Sequence, residues 1–190
     1  KKIVRYAVQG LTQEDTPAFV RQNCLNSRQR KHPCRVCVEI CPAGALREPA
    51  GAAADWDRCT GCQLCVAKCP AGAIAPSYQA FKQLLRLVAA RRETRTLACE
   101  KSGSQCDYAP WCLGVILWEL LASLALSGSV LIERAGCEGC ERAAQLADFD
   151  QALARARQFL GERYFSTRVT LLAMGEALPP VDLTRREALR

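Results

Sequence analysis

The sequence predicts a chain of two parts. An α+β unit over residues 1–90 is followed by a small α/β unit over residues 91–180 built on a parallel βαβαβ sheet, with residues 181–190 left as a C-terminal arm. Two observations predict this. The front half packs eight cysteines into residues 24–69 and repeats itself, whereas the back half alternates strand-like and helix-like segments. A third observation bounds the chemistry. Thirteen cysteines in 190 residues are too many for packing alone, so they must bond something. An odd count leaves one thiol over from any disulfide framework, and no charged-then-apolar leader stands before the fold. The expected compartment is therefore the cytoplasm.

The densest stretch runs Cys59-Thr60-Gly61-Cys62-Gln63-Leu64-Cys65-Val66-Ala67-Lys68-Cys69-Pro70, a C-x2-C-x2-C-x3-C-P spacing. Upstream, Cys24 is followed after nine residues by Cys34-Arg35-Val36-Cys37-Val38-Glu39-Ile40-Cys41-Pro42, the same pattern with its first gap stretched. The segments after the prolines nearly coincide. Cys41-Pro42-Ala43-Gly44-Ala45-Leu46 matches Cys69-Pro70-Ala71-Gly72-Ala73-Ile74 at an offset of 28 residues, which an internal duplication explains. Zinc ribbons also use C-x2-C pairs, but they set two pairs apart and do not place three cysteines in one loop ahead of Cys-Pro.

Over residues 24–76 the chain resembles the bacterial two-[4Fe–4S] ferredoxins. The resemblance implies a ferredoxin-like fold of pseudo-twofold hairpins and helices, two low-potential [4Fe–4S] clusters, and electron transfer. It also implies a ligand set. One cluster takes Cys24, Cys34, Cys37 and Cys69, and the other takes Cys41, Cys59, Cys62 and Cys65.

The formal charge of +7 is basic for a freely diffusing carrier of this type. Each [4Fe–4S] core with four thiolates carries about −2 when oxidised, so two clusters lower the sum to about +3 and a third to about +1. The remaining charge suits a subunit fixed to a partner. Nucleic-acid binding would require a basic patch interleaved with aromatics, and Arg28, Arg30 and Lys31 form only a short run without them.

In chain order, Lys2-Ile3-Val4-Arg5-Tyr6-Ala7-Val8 has strand alternation. Thr16-Pro17 has the form of a helix start, and that helix would deliver Cys24. Residues 25–33 come next as an exposed loop, with the only histidine, His32, as a surface residue. Pro49-Ala50-Gly51-Ala52-Ala53 is a turn, and Asp55-Trp56-Asp57 leads as a strand into Cys59, with Trp56 against a cluster edge or the core. Small residues around the cysteines let backbone N–H groups approach sulfur. After Pro76, Tyr78, Phe81, Leu84, Leu85 and Val88 share one face of a helix expected to cover the core.

From residue 94 a second pattern begins. Thr94–Cys99, Val130–Glu133 and Arg168–Ala173 have strand character, Trp111–Ser127 is an apolar helix, and a polar helix spans about Cys140–Leu160. Ligands of parallel sheets gather beyond the carboxyl ends of the strands. Cys99 and Cys137 fall at that end, Cys112 at the start of the intervening helix, and Cys140 one short step on. These four converge on one expected site, for a third iron–sulfur cluster ([2Fe–2S] or [4Fe–4S]) or for zinc. Cys106 is the spare and could replace one of them. Residues 95–141 faintly resemble the small iron–sulfur subunits of hydrogenase and heterodisulfide reductase complexes. The apolar run from Cys112 to Ile132 does not suit a membrane span, because Glu119 is central and Ser127-Gly128-Ser129 breaks it. Thr184-Arg185-Arg186-Glu187 has the capping-box pattern three residues before the end, and the first residue is not Met. The expectation is a processed or trimmed product, or an arm that folds on a partner.

The expected function is single-electron relay by a subunit that joins a catalytic oxidoreductase subunit to a soluble electron carrier, with no bond-making chemistry of its own. A cluster-bearing redox sensor or assembly protein and a zinc-stapled interaction module are the alternatives.

Overall fold

The structure, a computed structural model, describes residues 16–28, 33–49, 53–90, 92–137, 139–172, 176 and 178–179. The strand expected over 2–8, His32, Arg30, Lys31, the tip of the 49–53 turn and the capping box at 184 lie outside these residues. The chain divides into two compact units, Lys1–Leu85 and Arg86–Arg190.

The front unit is built from two copies of one hairpin-and-helix motif. Strand β1 (Ala18–Phe19) pairs antiparallel with β2 (Ile74–Ala75), bringing Phe19 opposite Ile74, and a single antiparallel bridge sets Leu46 opposite Ala54. Between them lie the short helices α1 (Leu25–Arg28), α2 (Val36–Glu39) and α3 (Leu64–Lys68), and α4 (Tyr78–Ala89) comes after. Helices of four and five residues cannot hold themselves by propensity. They persist here because α2 packs on α3 and each turns a cysteine inward. Cys37, Leu46, Cys65 and Ile74 form the core, with Phe19, Cys41, Val66 and Cys69 packed against it.

Three expectations about this unit are overturned. Thr16-Pro17 opens no α-helix. Ala18–Phe19 is a strand, and a single 3-10 turn, Arg21–Asn23, then delivers Cys24. The cap signature is real, but it competes with a backbone pairing partner, and Val20 N–H donates to Ala73 C=O at 2.8 Å. Asp55-Trp56-Asp57 likewise is no strand, because Trp56–Arg58 is a 3-10 turn. Finally, the expected apolar face of α4 is only partly covered, with Tyr78 and Leu84 half-buried. Phe81, Leu85 and Val88 are 45%, 51% and 50% exposed, and Leu87 is the buried residue. Helical spacing shows that residues share a face, not that anything lies over it.

In the second unit β3 (Thr94–Leu97), β4 (Ser129–Glu133) and β5 (Val169–Leu172) form a parallel sheet in that order. Helix α5 (Trp118–Ser127) connects β3 to β4, and α6 (Leu146–Leu160) with α7 (Glu162–Arg168) connects β4 to β5. Both connections advance the same way across the sheet, and crossovers of one hand then share a face. There α5 packs on α6, burying Leu121, Leu124 and Phe149 over Val130 and Ile132 of β4. The apolar run 111–127 is not one helix. Leu113–Val115 is a 3-10 turn and the α-helix starts only at Trp118, so Cys112 caps the turn and lies six residues ahead of α5.

That turn is seated by a close approach. A Cβ on Gly114 would stand 2.6 Å from Gln145 O and 2.7 Å from Gln145 Cβ, at the residue preceding α6. No L side chain fits without moving backbone. Gly114→Ala is expected to cost about 1–3 kcal/mol through this overpacking, read as a lower thermal midpoint of the second unit with the front unit unchanged.

Candidate metal-binding site

Every cysteine of the front unit lines one of two cavities. Cys24, Cys34, Cys37 and Cys69 face one cavity, walled by Leu25 and Ile74 among others. Cys41, Cys59, Cys62 and Cys65 face a second, walled by Leu46 and Trp56 among others. Trp56 also meets Phe19 at a ring-centroid distance of 5.9 Å, so it serves core and cavity together. Among the described residues none that lines either cavity is charged.

The two short helices distribute the thiols. Cys37 on α2 faces the first cavity, and Cys41, four residues later and just past the helix, faces the second. Cys65 on α3 faces the second, and Cys69, four residues later, faces the first. The backbone around the two crossing cysteines is the same in both copies. Ala45 N–H donates to Cys41 Sγ at 3.3 Å and Ala73 N–H to Cys69 Sγ at 3.2 Å. Gly44 and Gly72 have φ of 58° and 57°, a left-handed turn that glycine adopts without strain.

The stretched first gap is explained by this symmetry. The 3-10 turn Arg21–Asn23 before Cys24 matches the turn Trp56–Arg58 before Cys59, and φ/ψ is −64°/134° at Cys24 and −68°/121° at Cys59. Val20 N–H to Ala73 C=O and Asp55 N–H to Ala45 C=O, both 2.8 Å, are equivalent bonds. Cys59 thus comes 35 residues after its mate (59 − 24), whereas Cys69 comes 28 after Cys41 (69 − 41). The surplus of seven is the lengthening between Cys24 and Cys34. Its neck is closed by Asn26, whose amide oxygen accepts from Cys34 N–H at 2.6 Å and whose amide N–H donates to Cys34 C=O at 2.8 Å.

In the second unit Cys99, Cys112, Cys137 and Cys140 come together. Burial raises the proton affinity of Cys112, and the neighbouring thiols of Cys99 and Cys140 add to this, while Gly114 N–H and Arg142 oppose it. Burial, then Cys99 and Cys112, raise Cys137. Backbone N–H groups again reach sulfur, from Gly114 to Cys112 at 3.5 Å and from Arg142 to Cys140 at 3.4 Å. Cys106 lies apart from them. A bridge between Leu97 and Tyr108 runs this loop back along β3. Asp107 accepts from Thr96 N–H at 2.9 Å and from Thr96 Oγ1 at 3.0 Å, and pairs with Arg92 at 3.0 Å. The Cys106 thiol is raised by burial and sits against the backbone of Ala98 and Tyr108, feeling Asp107 and Glu133.

None of the thirteen cysteines is joined in a disulfide. Among the described residues no three His, Cys, Asp or Glu side chains are close enough to hold a single metal ion. A cubane cluster asks for something else, four thiolates that each reach a separate iron.

A family model described as a 4Fe-4S binding domain matches residues 52–75. This iron–sulfur segment is of the ferredoxin type. It binds a [4Fe–4S] cluster, and its role is electron transfer. It contains the tight C-x2-C-x2-C-x3-C-P run, the α3 helix and β2. No curated protein and no solved structure matches the chain significantly. No helix among the described residues is long and apolar enough to cross a membrane.

Arg142 and Asn26 were not singled out by sequence reasoning. The available signal for Arg142 was its place two residues after the Cys137/Cys140 pair, and for Asn26 its place inside the abnormal gap.

This geometry has consequences for stability and for pH. Asn26→Ala leaves both backbone groups of Cys34 unpartnered, at a cost of about 1–3 kcal/mol in a partly buried setting. Chemical denaturation should detect this loss, and the purified variant should carry less iron than the parent. The pH dependence comes from the buried thiols. Burial, then the neighbouring Cys62, Cys41, Cys59 and Cys37 thiols, push the Cys65 thiol from its ordinary 9.0 up to about 12, and burial raises Cys62. In metal-free protein these groups keep their protons at neutral pH, and metal must displace them. Because the folded pKa values exceed the unfolded ones, the metal-free fold is fully stabilised below about pH 9 and loses that contribution as pH rises toward 12. Loading runs the other way. Anaerobic reconstitution should improve between about pH 6 and pH 8 and release protons into a weakly buffered solution, and a yield that falls over that range would contradict thiolate binding.

Proposed function

We propose that the chain is a multi-centre electron-transfer protein, a two-cluster ferredoxin-like domain followed by a small α/β domain. One [4Fe–4S] cluster is held by Cys24, Cys34, Cys37 and Cys69, a second by Cys41, Cys59, Cys62 and Cys65, and a third iron–sulfur cluster by Cys99, Cys112, Cys137 and Cys140. The observation that supports this most directly is the sorting of eight front-unit thiols, four and four, into two uncharged cavities. The donor set fits the group. The front-unit thiols stand among apolar walls, and bound iron would supply the charge that lets them ionise.

When bound, each cluster takes up and gives back one electron without making or breaking bonds to a substrate. The protein's part is to hold the thiolates, exclude water and aim N–H groups at sulfur. Such bonds at Cys41 and Cys69 favour the more electron-rich state, a low-polarity wall opposes it, and the balance sets the potential. The apolar layer shared by both cavities is only Cys37, Leu46, Cys65 and Ile74 with their neighbours. Cys37 of one cavity acts electrostatically on Cys65 of the other. Centres held on either side of so thin a layer would exchange electrons readily. The partners in this reading are redox proteins, a catalytic oxidoreductase subunit and a soluble electron carrier. The basic charge of the chain, +7 before any cluster is counted, supports attachment to an acidic partner surface.

Anaerobic purification with iron and acid-labile sulfide analysis tests the reading. The expected result is about eight of each from the front unit plus two to four from the second, a brown protein, and reversible one-electron reduction. Cys62→Ser should remove one front cluster's spectrum, and Cys137→Ser should remove the third centre alone. Zinc in place of iron would support the interaction-module reading, and clusters that disintegrate on the first redox cycle would support the sensor.

A further inference from the structure

The guanidinium of Arg142 joins its own segment, which carries Cys137 and Cys140, to the two segments that carry Cys99 and Cys112. Its Nη1 donates to Trp111 C=O, one residue before Cys112, and to Glu100 Oε1 at 2.9 Å, one residue after Cys99. Its plane lies over the Trp111 ring at 3.9 Å from the centroid. Its own backbone N–H donates to Cys140 Sγ at 3.4 Å. The side chain is only 15% exposed, so these contacts are partly shielded from water. Arg142 also acts directly on Cys112, favouring its ionised form. One donor is left over: Nε is buried and has no hydrogen-bond partner among the described residues, with Glu141 Oε1 3.8 Å away.

We propose that Arg142 is the positioning residue of the Cys99/Cys112/Cys137/Cys140 centre, fixing the spacing of three ligand segments before metal arrives and placing a permanent positive charge beside the thiolates once it is bound. The inference rests on the reading of these cysteines as a third iron–sulfur centre. Hydrogen bonds to two other segments, with the guanidinium plane stacked on Trp111, make the side chain a tether, and a planar group supplies both kinds of contact in a way a lysine ammonium cannot. A fixed cation stabilises the more negative, reduced form of a cluster, so the charge raises the potential. The uncommitted Nε is a buried N–H donor that an electron-rich sulfur can satisfy.

The experiment uses the full chain in four forms: parent, Arg142→Lys, Arg142→Gln and Cys112→Ser. The two front clusters serve as the internal reference. In Arg142→Gln the third centre is expected to yield its metal to a chelator about 10–100-fold faster, the range seen when outer-shell partners are removed. Its midpoint potential, measured by spectroscopic titration on the fraction still loaded, is expected to move to more negative values while the front clusters keep theirs. Arg142→Lys is expected to restore the potential but not the chelator resistance, separating charge from tether. Should Arg142→Gln accumulate unfolded, Glu100→Ala, which removes the acceptor of one tether and leaves the cation, carries the test through chelator release. Metal content and spectrum unchanged in Cys112→Ser would overturn the third-centre reading itself. A third centre lost in Cys112→Ser but unmoved, in both potential and release rate, in the Arg142 variants would overturn only the role given to Arg142.

Discussion

The front unit depends on one constraint, that thiols four residues apart must face opposite cavities. Cys37 and Cys41 flank the end of one short helix, and Cys65 and Cys69 flank the end of the other. Four residues is just over one helical turn, so a continuing helix would leave each pair on one face. Ending the helix between them is what separates them. Each chain leaves the helix at a Cys-Pro, turns through a left-handed glycine and enters a strand, with an alanine N–H pointing back at the cysteine sulfur. The proline cannot continue the helix and the glycine takes the positive φ that a side chain resists. Each of these sequence choices serves the crossing.

The crossing also accounts for how so small a core holds together. Cys37 and Cys65 are themselves core residues, and the thiols that cross lie against the same layer. In the metal-free chain burial keeps the Cys65 thiol protonated. A protonated thiol is a tolerable small apolar group, whereas an unpaired buried thiolate is not. The unit can therefore fold with Cys62 and Cys65 neutral in its interior. It gains its charges only together with the cation that compensates them.

How much of this was legible in the residues depended on whether the signal was local. The run from Cys59 to Cys69 carries its geometry in its spacing, and the offset of 28 residues between the Cys-Pro segments announced two equivalent turns. The parallel sheet of the second unit was legible for the same reason, since three strand-like runs are separated by helix-length segments. The features that stayed hidden were settled by contacts with distant residues. Thr16-Pro17 has a valid helix-start signature, but Val20 finds a backbone partner at Ala73, and the strand wins. The run from Trp111 is apolar enough for one long helix, yet Gly114 is pressed on Gln145, and the helix begins seven residues late. Periodicity grouped Phe81, Leu85 and Val88 on a face of α4 that is left exposed. Spacing along the chain cannot say which face meets the core.

The lengthened gap before Cys34 shows how a fold absorbs an irregular motif. By spacing alone Cys24 is the weakest member of its set, since nine residues in place of two can point a thiol anywhere. The geometry is nonetheless that of its mate Cys59, with the same turn before it, the same extended backbone at it and the same strand pairing upstream. Two features make this possible. The strand pair β1–β2 fixes the entry to Cys24 independently of the loop beyond it, and Asn26 closes that loop by binding both backbone groups of Cys34, as a paired strand residue would. Closing a loop of several more residues costs little extra entropy, since the penalty grows only with the logarithm of length. A single side chain making two hydrogen bonds is enough to offset it. The extra residues thus lengthen the chain between Cys24 and Cys34 without moving either, which is why the equivalence of Cys24 and Cys59 survives a spacing that hides it.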